Sequence, residues 1–92
     1  MNNITVRLPA SIAHLAGDNK LVECSAYSIA ECIQDLDVRF AGLKDVLCDL
    51  DGNISDLFFI FVNWENITNL RGVKTPLQDG DELTIIPATA GG

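Results

Sequence analysis

The residues with the most evident chemistry in this sequence stand at its end, where Gly91 and Gly92 follow a run of small side chains. Glycine has no Cβ, so this segment can enter a cleft that is too narrow for other residues. The carboxylate of Gly92 is ionised at neutral pH and can attack the α-phosphate of ATP held by a partner enzyme, which gives an acyl adenylate. That adenylate can accept sulfur to become a thiocarboxylate, or an amine to become an amide. We therefore predict that the Gly92 carboxylate is the reactive group; the alternative is that the two glycines are a frayed end.

The three cysteines offer a second kind of chemistry. Cys24, Cys32 and Cys48 are odd in number, widely spaced and free of any C-x-x-C pair, a pattern that indicates neither a disulfide framework nor a zinc site. We predict that they are small buried hydrophobic residues. The alternative is a reactive thiol at Cys48, because its segment is predicted to lie near the surface, where only Lys44 would lower the pKa of the thiol.

The remaining polar side chains give little support for a metal site or a catalytic side chain. His14 has no Asp, Glu or Cys at the spacing of a ligand set or a catalytic triad, so it is predicted to be a loop histidine. The acids that precede the central strand lack the ordered oxygen series of an EF-hand loop, and a solvated acidic face is expected. These acids are Asp45, Asp49, Asp51 and Asp56.

Length and charge restrict the function classes. A chain of 92 residues is predicted to form one domain, too small for a deep enzyme pocket. Its formal charge of -7 argues against binding to nucleic acid or a membrane surface and favours partners with basic docking surfaces. Asp79, Asp81 and Glu82 either form a turn or steer the tail toward a basic cleft. Without a membrane span or signal peptide in the sequence, we expect a cytoplasmic protein that is monomeric when free.

The first half of the chain predicts a hairpin followed by a helix. Apolar and polar residues alternate over residues 3–8 and again over 21–24, which is the period of half-buried strands, here joined by a long loop. Ser28 followed by Glu31 is a capping box, so a helix with an apolar stripe toward the sheet should begin there. Gly42 is predicted to close this helix.

The second half predicts a short helix and the rest of the sheet. Helical spacing over residues 43–50 indicates a short second helix, and the apolar run over 57–62 is typical of a central strand. A brief edge strand is expected at 67–68. The run over 82–86 predicts a last strand, stopped by Pro87.

The order of these elements, β-β-α-β-(β)-β, predicts the fold. A hairpin is followed by a helix that returns the chain across one face of the sheet. We therefore predict an α+β fold, a ubiquitin-like β-grasp with a mixed sheet of four or five strands packed on one main helix. Residues 1–87 would form this domain, and residues 88–92 a flexible C-terminal Gly-Gly tail.

The last strand and the tail together carry a specific motif. Residues 79–92 read DGDELTIIPATAGG, which resembles the C-terminal signature of the MoaD/ThiS family, D-G-D-x-[VL]-x-[IF]-x-P-x-x-[AG]-G-G. Val62-Asn63 before a turn, and the order of elements from residue 4 onward, are similar to that family as well. The Thr5-Val6 start and the I-P-A-x-A-G-G end resemble its CysO-type branch, which carries sulfur for cysteine biosynthesis.

The resemblance implies a set of partners and a role for each residue of the tail. Gly92 would be activated by an E1-like adenylating enzyme of the MoeB/ThiF type, which consumes ATP, while this chain binds no cofactor itself. The sulfur loaded on Gly92 would pass to a pyridoxal-phosphate-dependent sulfhydrylase or another sulfur-consuming synthase, with a JAMM-type metalloprotease as a further partner. The tail residues that these partners would recognise are Ala88, Thr89, Ala90 and Gly91.

In that family an apolar patch on the exposed sheet face docks to partners together with the tail. Ile86 matches this pattern, and Phe59, Phe61 and Trp64 are candidates by location, although core packing is the first interpretation for all except Trp64. Two positions depart from the family. Trp64 stands in a turn where members often carry Gly, Asp or Glu, and Ile86 replaces a Phe that is frequent in molybdopterin synthase small subunits.

Several functions stay open on the sequence. Within the sulfur-carrier class, the alternatives to cysteine biosynthesis are the small subunit of molybdopterin synthase and the sulfur carrier for the thiazole of thiamine. A ubiquitin-like modifier that forms isopeptides through Gly92 is a different class. A purely structural or binding β-grasp domain is the last.

Overall fold

The computed structural model describes residues 2–88, which form a five-stranded mixed sheet with helices packed on one face. The strands lie in the spatial order β2-β1-β5-β3-β4. Their bounds are β1 Asn3–Arg7, β2 Leu21–Ser25, β3 Phe58–Val62, β4 Glu65–Asn66 and β5 Glu82–Pro87. Strand β1 pairs antiparallel with β2 and parallel with β5, and β5 pairs antiparallel with β3. The predicted β-grasp fold is confirmed.

The main helix α2, Ile29–Arg39, covers the inner face of this sheet, and its start is set by the predicted cap. The hydroxyl of Ser28 accepts the Glu31 backbone N–H at 3.2 Å, and the Glu31 carboxylate accepts the N–H of Tyr27 at 3.0 Å. The stripe of α2 that faces the sheet is fully buried, as are the inward side chains of the strands. The buried residues of α2 are Ile29, Cys32, Ile33 and Leu36.

The helix does not continue to Gly42, as predicted, but ends at Arg39, where the N–H of the capping residue Phe40 bonds to the C=O of Leu36 at 2.7 Å. Gly42 instead begins the short helix α3, Leu43–Leu47, with a φ of 101° that favours glycine. This helix is shorter than the predicted span 43–50. Asp49 ends it by accepting the backbone N–H of Asp51 and of Asn53, a local turn that competes with helix.

The loop between β1 and β2 is more ordered than the sequence analysis predicted. It contains helix α1, Ala10–Ala13, followed by a 3-10 turn, His14–Ala16, which places His14 in a turn with its side chain exposed. Ile12, Ala13 and Ala16 are buried here. The sequence analysis did not predict this helix because its helical spacing extends over too few residues to stand out from the polar segment that follows.

The predicted edge strand at residues 67–68 is wrong. Strand β4 lies two residues earlier, because Asn63 and Trp64 both adopt positive φ values of 49° and 68°. Two such residues form a tight hairpin turn that sets Glu65 opposite Val62. After β4 the chain coils into a 3-10 turn, Ile67–Asn69.

Trp64 occupies a backbone conformation in which a Cβ costs about 1–2 kcal/mol. The turn itself therefore does not favour tryptophan at position 64. We expect the W64G variant to be more stable to unfolding than W64A by about 1 kcal/mol, because both variants lose the ring and only W64A keeps the strained Cβ. Urea unfolding of the two variants measures this difference, and equal midpoints would contradict the positive φ at this position.

Pro87 does not stop β5, as was predicted, but forms its last residue, opposite Phe58. The N–H of Ala88 bonds to the C=O of Leu57 at 2.8 Å, so the backbone groups of Ala88 point toward β3. The backbone nitrogen of Pro87 points to the other side, toward β1. It lies beyond Arg7, which is the last residue of β1 that pairs with β5. Its missing N–H is therefore not needed for the sheet.

Two of the cysteines form a disulfide, which corrects the expectation that no disulfide is present. Cys24 on β2 and Cys32 on α2 are joined across the core with Cα atoms 6.1 Å apart. The eight-residue separation carries no disulfide signal, because the contact depends on how the helix packs on the strand. Cys48 is a free thiol and is half-buried.

Two further expectations concern membranes and metals. Within residues 2–88, the structure contains no helix with both the length and the apolar character needed to cross a bilayer. In the same range no three His, Cys, Asp or Glu side chains come together as a metal site would require.

Candidate functional site at the end of the sheet

The tail leaves the domain beside the first residues of β3. Ala88 is tied to the sheet through its N–H bond to the Leu57 C=O. The other predicted tail residues, Thr89, Ala90, Gly91 and Gly92, lie outside the described residues. The division between domain and tail stays a prediction.

Chain length limits how far the reactive group can stand from this exit. Four residues follow Ala88, and at about 3.5 Å per extended residue they carry Gly92 at most about 14 Å away. A partner that acts on the Gly92 carboxylate must therefore closely approach the start of β3 and the end of β5.

The outer face of the sheet is apolar at this exit. Phe59 and Ile86 are direct neighbours across β3 and β5. Phe59 is 45% exposed and Leu57, beside Ala88, is 59% exposed, whereas Ile86 is partly covered. We call Leu57, Phe59 and Ile86 the exit patch. Exposed apolar groups of this kind, grouped at one place, are typical of a docking site.

The structure places two of the candidate docking residues in the exit patch and adds one that the sequence analysis missed. Phe59 lies outside the core that was its first interpretation. Leu57 was read as the start of a covered strand. Its position two residues before Phe59 is the signal that could have placed it on the same outer face.

Phe61 and Trp64 lie on the same face toward its opposite end. Phe61 follows Phe59 by two residues and is half-buried, and its ring centroid is 6.0 Å from that of Trp64 at an interplanar angle of 45°. Trp64 is 66% exposed. The predicted exposure of Trp64 is confirmed, and the two rings extend the apolar surface away from the tail exit.

Asp79 and Asp81 stabilise the turn that leads into β5. Asp79 accepts the N–H of Asn3 at 2.7 Å, and Asp81 accepts the N–H of Gln78 at 2.8 Å and the amide of Asn63 at 2.9 Å. These contacts correspond to turn formation, one of the two roles left open for Asp79 and Asp81. Because β5 begins here and ends at the tail exit, the acids lie at the opposite end of the strand from Ala88.

Glu82 forms an exposed ion pair with Arg7 across the sheet, with Nε and Oε1 3.2 Å apart. Both side chains are about half exposed, so the pair contributes at most about 1 kcal/mol.

Cys48 is poorly suited to be a reactive thiol. Burial raises the pKa of the Cys48 thiol, and Asp49 and Asp37 add to this, while Lys44 acts in the opposite direction. Less thiolate is therefore present at any pH below the raised pKa, and the thiolate is the reactive form.

Iodoacetamide should accordingly modify Cys48 in the folded protein more slowly than it modifies free cysteine at mildly alkaline pH. The rate should increase as pH rises through the raised pKa, and unfolding in urea should restore the rate of an ordinary thiol. Mass spectrometry of timed samples measures it. Modification as fast as that of free cysteine would show that the thiol is activated after all.

Comparison with known proteins decides the family. The sequence pattern described as the ThiS family matches residues 6–92, nearly the whole chain and the tail included. The chain belongs to the ThiS family. The resemblance read from the C-terminal motif is thereby confirmed, together with the ubiquitin-like fold.

Two curated relatives of full length are named as sulfur carriers. The sulfur carrier protein CysO of Mycobacterium tuberculosis is 34% identical over 92 residues, covering 98% of this chain and 99% of that protein. A putative sulfur carrier protein of Archaeoglobus fulgidus is 34% identical over 89 residues, covering 97% and 98%. Both of these relatives match this ThiS-family chain over nearly its whole length.

A solved structure shows the same fold in a complex. A chain in the crystal structure of the Amycolatopsis orientalis BexX/CysO complex superposes with a TM-score of 0.91 at 34% identity, covering 97% of this chain and 99% of that one. That relative is a ThiS-family fold captured together with another protein.

Proposed function

We propose that this protein is a sulfur carrier whose C-terminal Gly92 carboxylate is converted to a thiocarboxylate that donates sulfur in biosynthesis, with cysteine as the expected product. The observation that carries the proposal is the ThiS-family match through Gly92 in a chain with full-length relatives that are named as sulfur carriers. The position of the exit patch supports it, because the patch lies where a partner must approach to reach Gly92.

The proposed chemistry needs no reactive side chain from this protein. A carboxylate oxygen of Gly92 attacks the α-phosphorus of ATP bound to the activating enzyme, and pyrophosphate leaves. A sulfide-equivalent nucleophile then attacks the carbonyl carbon of the acyl adenylate and AMP leaves, so that one oxygen of Gly92 is replaced by sulfur. The acceptor enzyme consumes that sulfur in turn.

The proposed partners are an E1-like adenylating enzyme of the MoeB/ThiF type and a sulfur-accepting synthase such as a pyridoxal-phosphate-dependent sulfhydrylase. A JAMM-type metalloprotease is a further candidate. The net charge of -7 favours basic surfaces around their clefts. The chain itself acts as a co-substrate, and ATP binds to the activating partner.

A loading experiment tests the proposal. The protein is incubated with the adenylating enzyme, ATP and sulfide, and its intact mass is measured. We expect the mass increase of one oxygen exchanged for sulfur, dependent on ATP. An unchanged mass, with an activating enzyme that loads a known carrier in parallel, would refute the proposal.

The fate of Gly92 distinguishes a sulfur carrier from the rival function, a protein modifier. A modifier would appear in cells as high-mass conjugates that disappear when Gly92 is deleted. A sulfur carrier should give the loaded free protein as its main product. Identification of the sulfhydrylase, thiazole synthase or large molybdopterin synthase subunit that consumes the loaded form would decide among the sulfur pathways.

A further inference from the structure

The disulfide between Cys24 and Cys32 lies under the packed face of α2, almost completely removed from water. Cys24 is 5% exposed and Cys32 is fully buried. Both belong to the central apolar cluster of the domain rather than to its rim. A thiol or a sulfide ion in solution therefore has no direct line of attack on either sulfur atom.

Polar contacts close the space around the disulfide. On the β2 side, the guanidinium of Arg39 donates to the C=O of Glu23, the residue before Cys24. Asp35, one turn before Arg39, accepts the N–H of Ser25 at 3.4 Å and also pairs with Arg39. Both neighbours of Cys24 along β2 are thus bonded to α2.

The start of α2 is tied down a second time, on the side away from β2. The N–H of Ile29 bonds to the C=O of Thr75 at 3.2 Å, and the N–H of Leu77 bonds to the C=O of Tyr27 at 2.9 Å. Exposing Cys32 requires α2 to lift away from β2 and from this segment at once. Such an opening approaches global unfolding in its free energy.

We infer that the Cys24–Cys32 disulfide is a buried lock that closes as the domain folds and that solution thiols reach only when the domain opens. On closing, the two cysteine thiols lose two protons and two electrons to a small-molecule disulfide, which is reduced to two thiols. Reduction runs the same exchange in reverse. The redox state of the pair is then fixed at folding and does not follow the thiol concentration around the folded protein.

This lock has a consequence for a chain that is exposed to sulfide. An accessible disulfide would react with sulfide to give a persulfide and a thiolate. The sulfur would then be held on a cysteine side chain instead of on Gly92. The third cysteine, Cys48, is half-buried and lies outside the disulfide. The two disulfide sulfur atoms are thereby withheld from exchange, and the Cys48 thiol is partly covered. The inference goes beyond the carrier function and stands or falls separately from it.

The test is the reduction rate of the native protein. The full chain carrying Cys48→Ser, in which only the disulfide pair can yield thiols, is mixed with dithiothreitol, quenched with N-ethylmaleimide at intervals and weighed as intact protein. Oxidised glutathione in the same buffer is the exposed reference. We expect reduction of the protein to be at least about a hundredfold slower than that of the reference and to accelerate steeply with urea below the unfolding midpoint.

Two variants test whether the contacts between α2 and β2 are the reason that the disulfide is reduced slowly. Arg39→Ala removes the contact to Glu23 and should speed reduction severalfold, whereas Lys20→Ala, another exposed cation of the same region, should leave the rate unchanged. Reduction nearly as fast as that of oxidised glutathione, a rate that urea does not alter, or two free thiols in the untreated protein would each overturn the inference.

Discussion

Deletion of Gly92 is expected to reduce the rate of sulfur loading at least about a hundredfold, while the thermal midpoint stays the same. The variant still ends in a glycine carboxylate, that of Gly91, so the functional group is preserved. Its position is not, because the carboxylate is drawn back by about 3.5 Å. Misplacement of a reacting group by even 1 Å can cost about a hundredfold in rate.

Stability provides the control for this deletion. The last hydrogen bond of the described fold is the one between Ala88 and Leu57, four residues before the deletion. Unfolding should therefore be unaffected, and any loss of loading can be assigned to chemistry. Loading of the shortened chain at the full rate would show that the reacting carboxylate does not have to stand at the position of Gly92.

Phe59→Ala is expected to lower kcat/KM for loading by about thirtyfold, chiefly through KM. An aromatic anchor in the middle of an interface contributes about 2 kcal/mol to binding. Phe59 lies in the exit patch, which a partner must approach because Gly92 can stand only about 14 Å from Ala88. The assay is the rate of ATP-dependent loading as the carrier concentration is varied.

The matched control is Tyr27→Ala. Tyr27 is also an exposed aromatic residue, 61% accessible, but it follows β2 at the end of the sheet opposite the tail exit. This control should load normally. Equal effects of the two substitutions would indicate that the exit patch is not the docking surface, whereas a large loss of stability in Phe59→Ala would make Phe59 a core residue instead.

Local patterns in the sequence were sufficient to predict most of the fold. The alternation in β1 and β2, the capping box of Ser28 and Glu31 and the apolar run of β3 each depend on contacts between residues near in sequence. The structure has these elements within a residue or two of the predicted bounds. The tail motif could be read in the same way, because its residues are consecutive.

The remaining features depend on contacts that no local pattern encodes. The Cys24–Cys32 disulfide results from the packing of α2 on β2. The position of β4 results from the positive φ of Asn63 and Trp64, and a tryptophan gives no signal for that conformation.

The exit patch shows the same limit at the candidate site. Its two exposed members, Leu57 and Phe59, come from a continuous apolar run that does not say which face is covered. Only the pairing of β3 with β5, and the exit of the chain at Ala88, define the patch as a place where a partner and the tail would meet.

The central claim is that sulfur is carried on the Gly92 carboxylate and not on a side chain, and fragmentation of the loaded protein in a mass spectrometer tests it most directly. We expect the added mass in every fragment that contains Gly92, in none that ends before it, and unchanged by treatment with a phosphine reductant, which removes sulfur from cysteine persulfides. Added mass on a fragment that contains Cys48 but not Gly92, or its loss on reduction, would contradict this account.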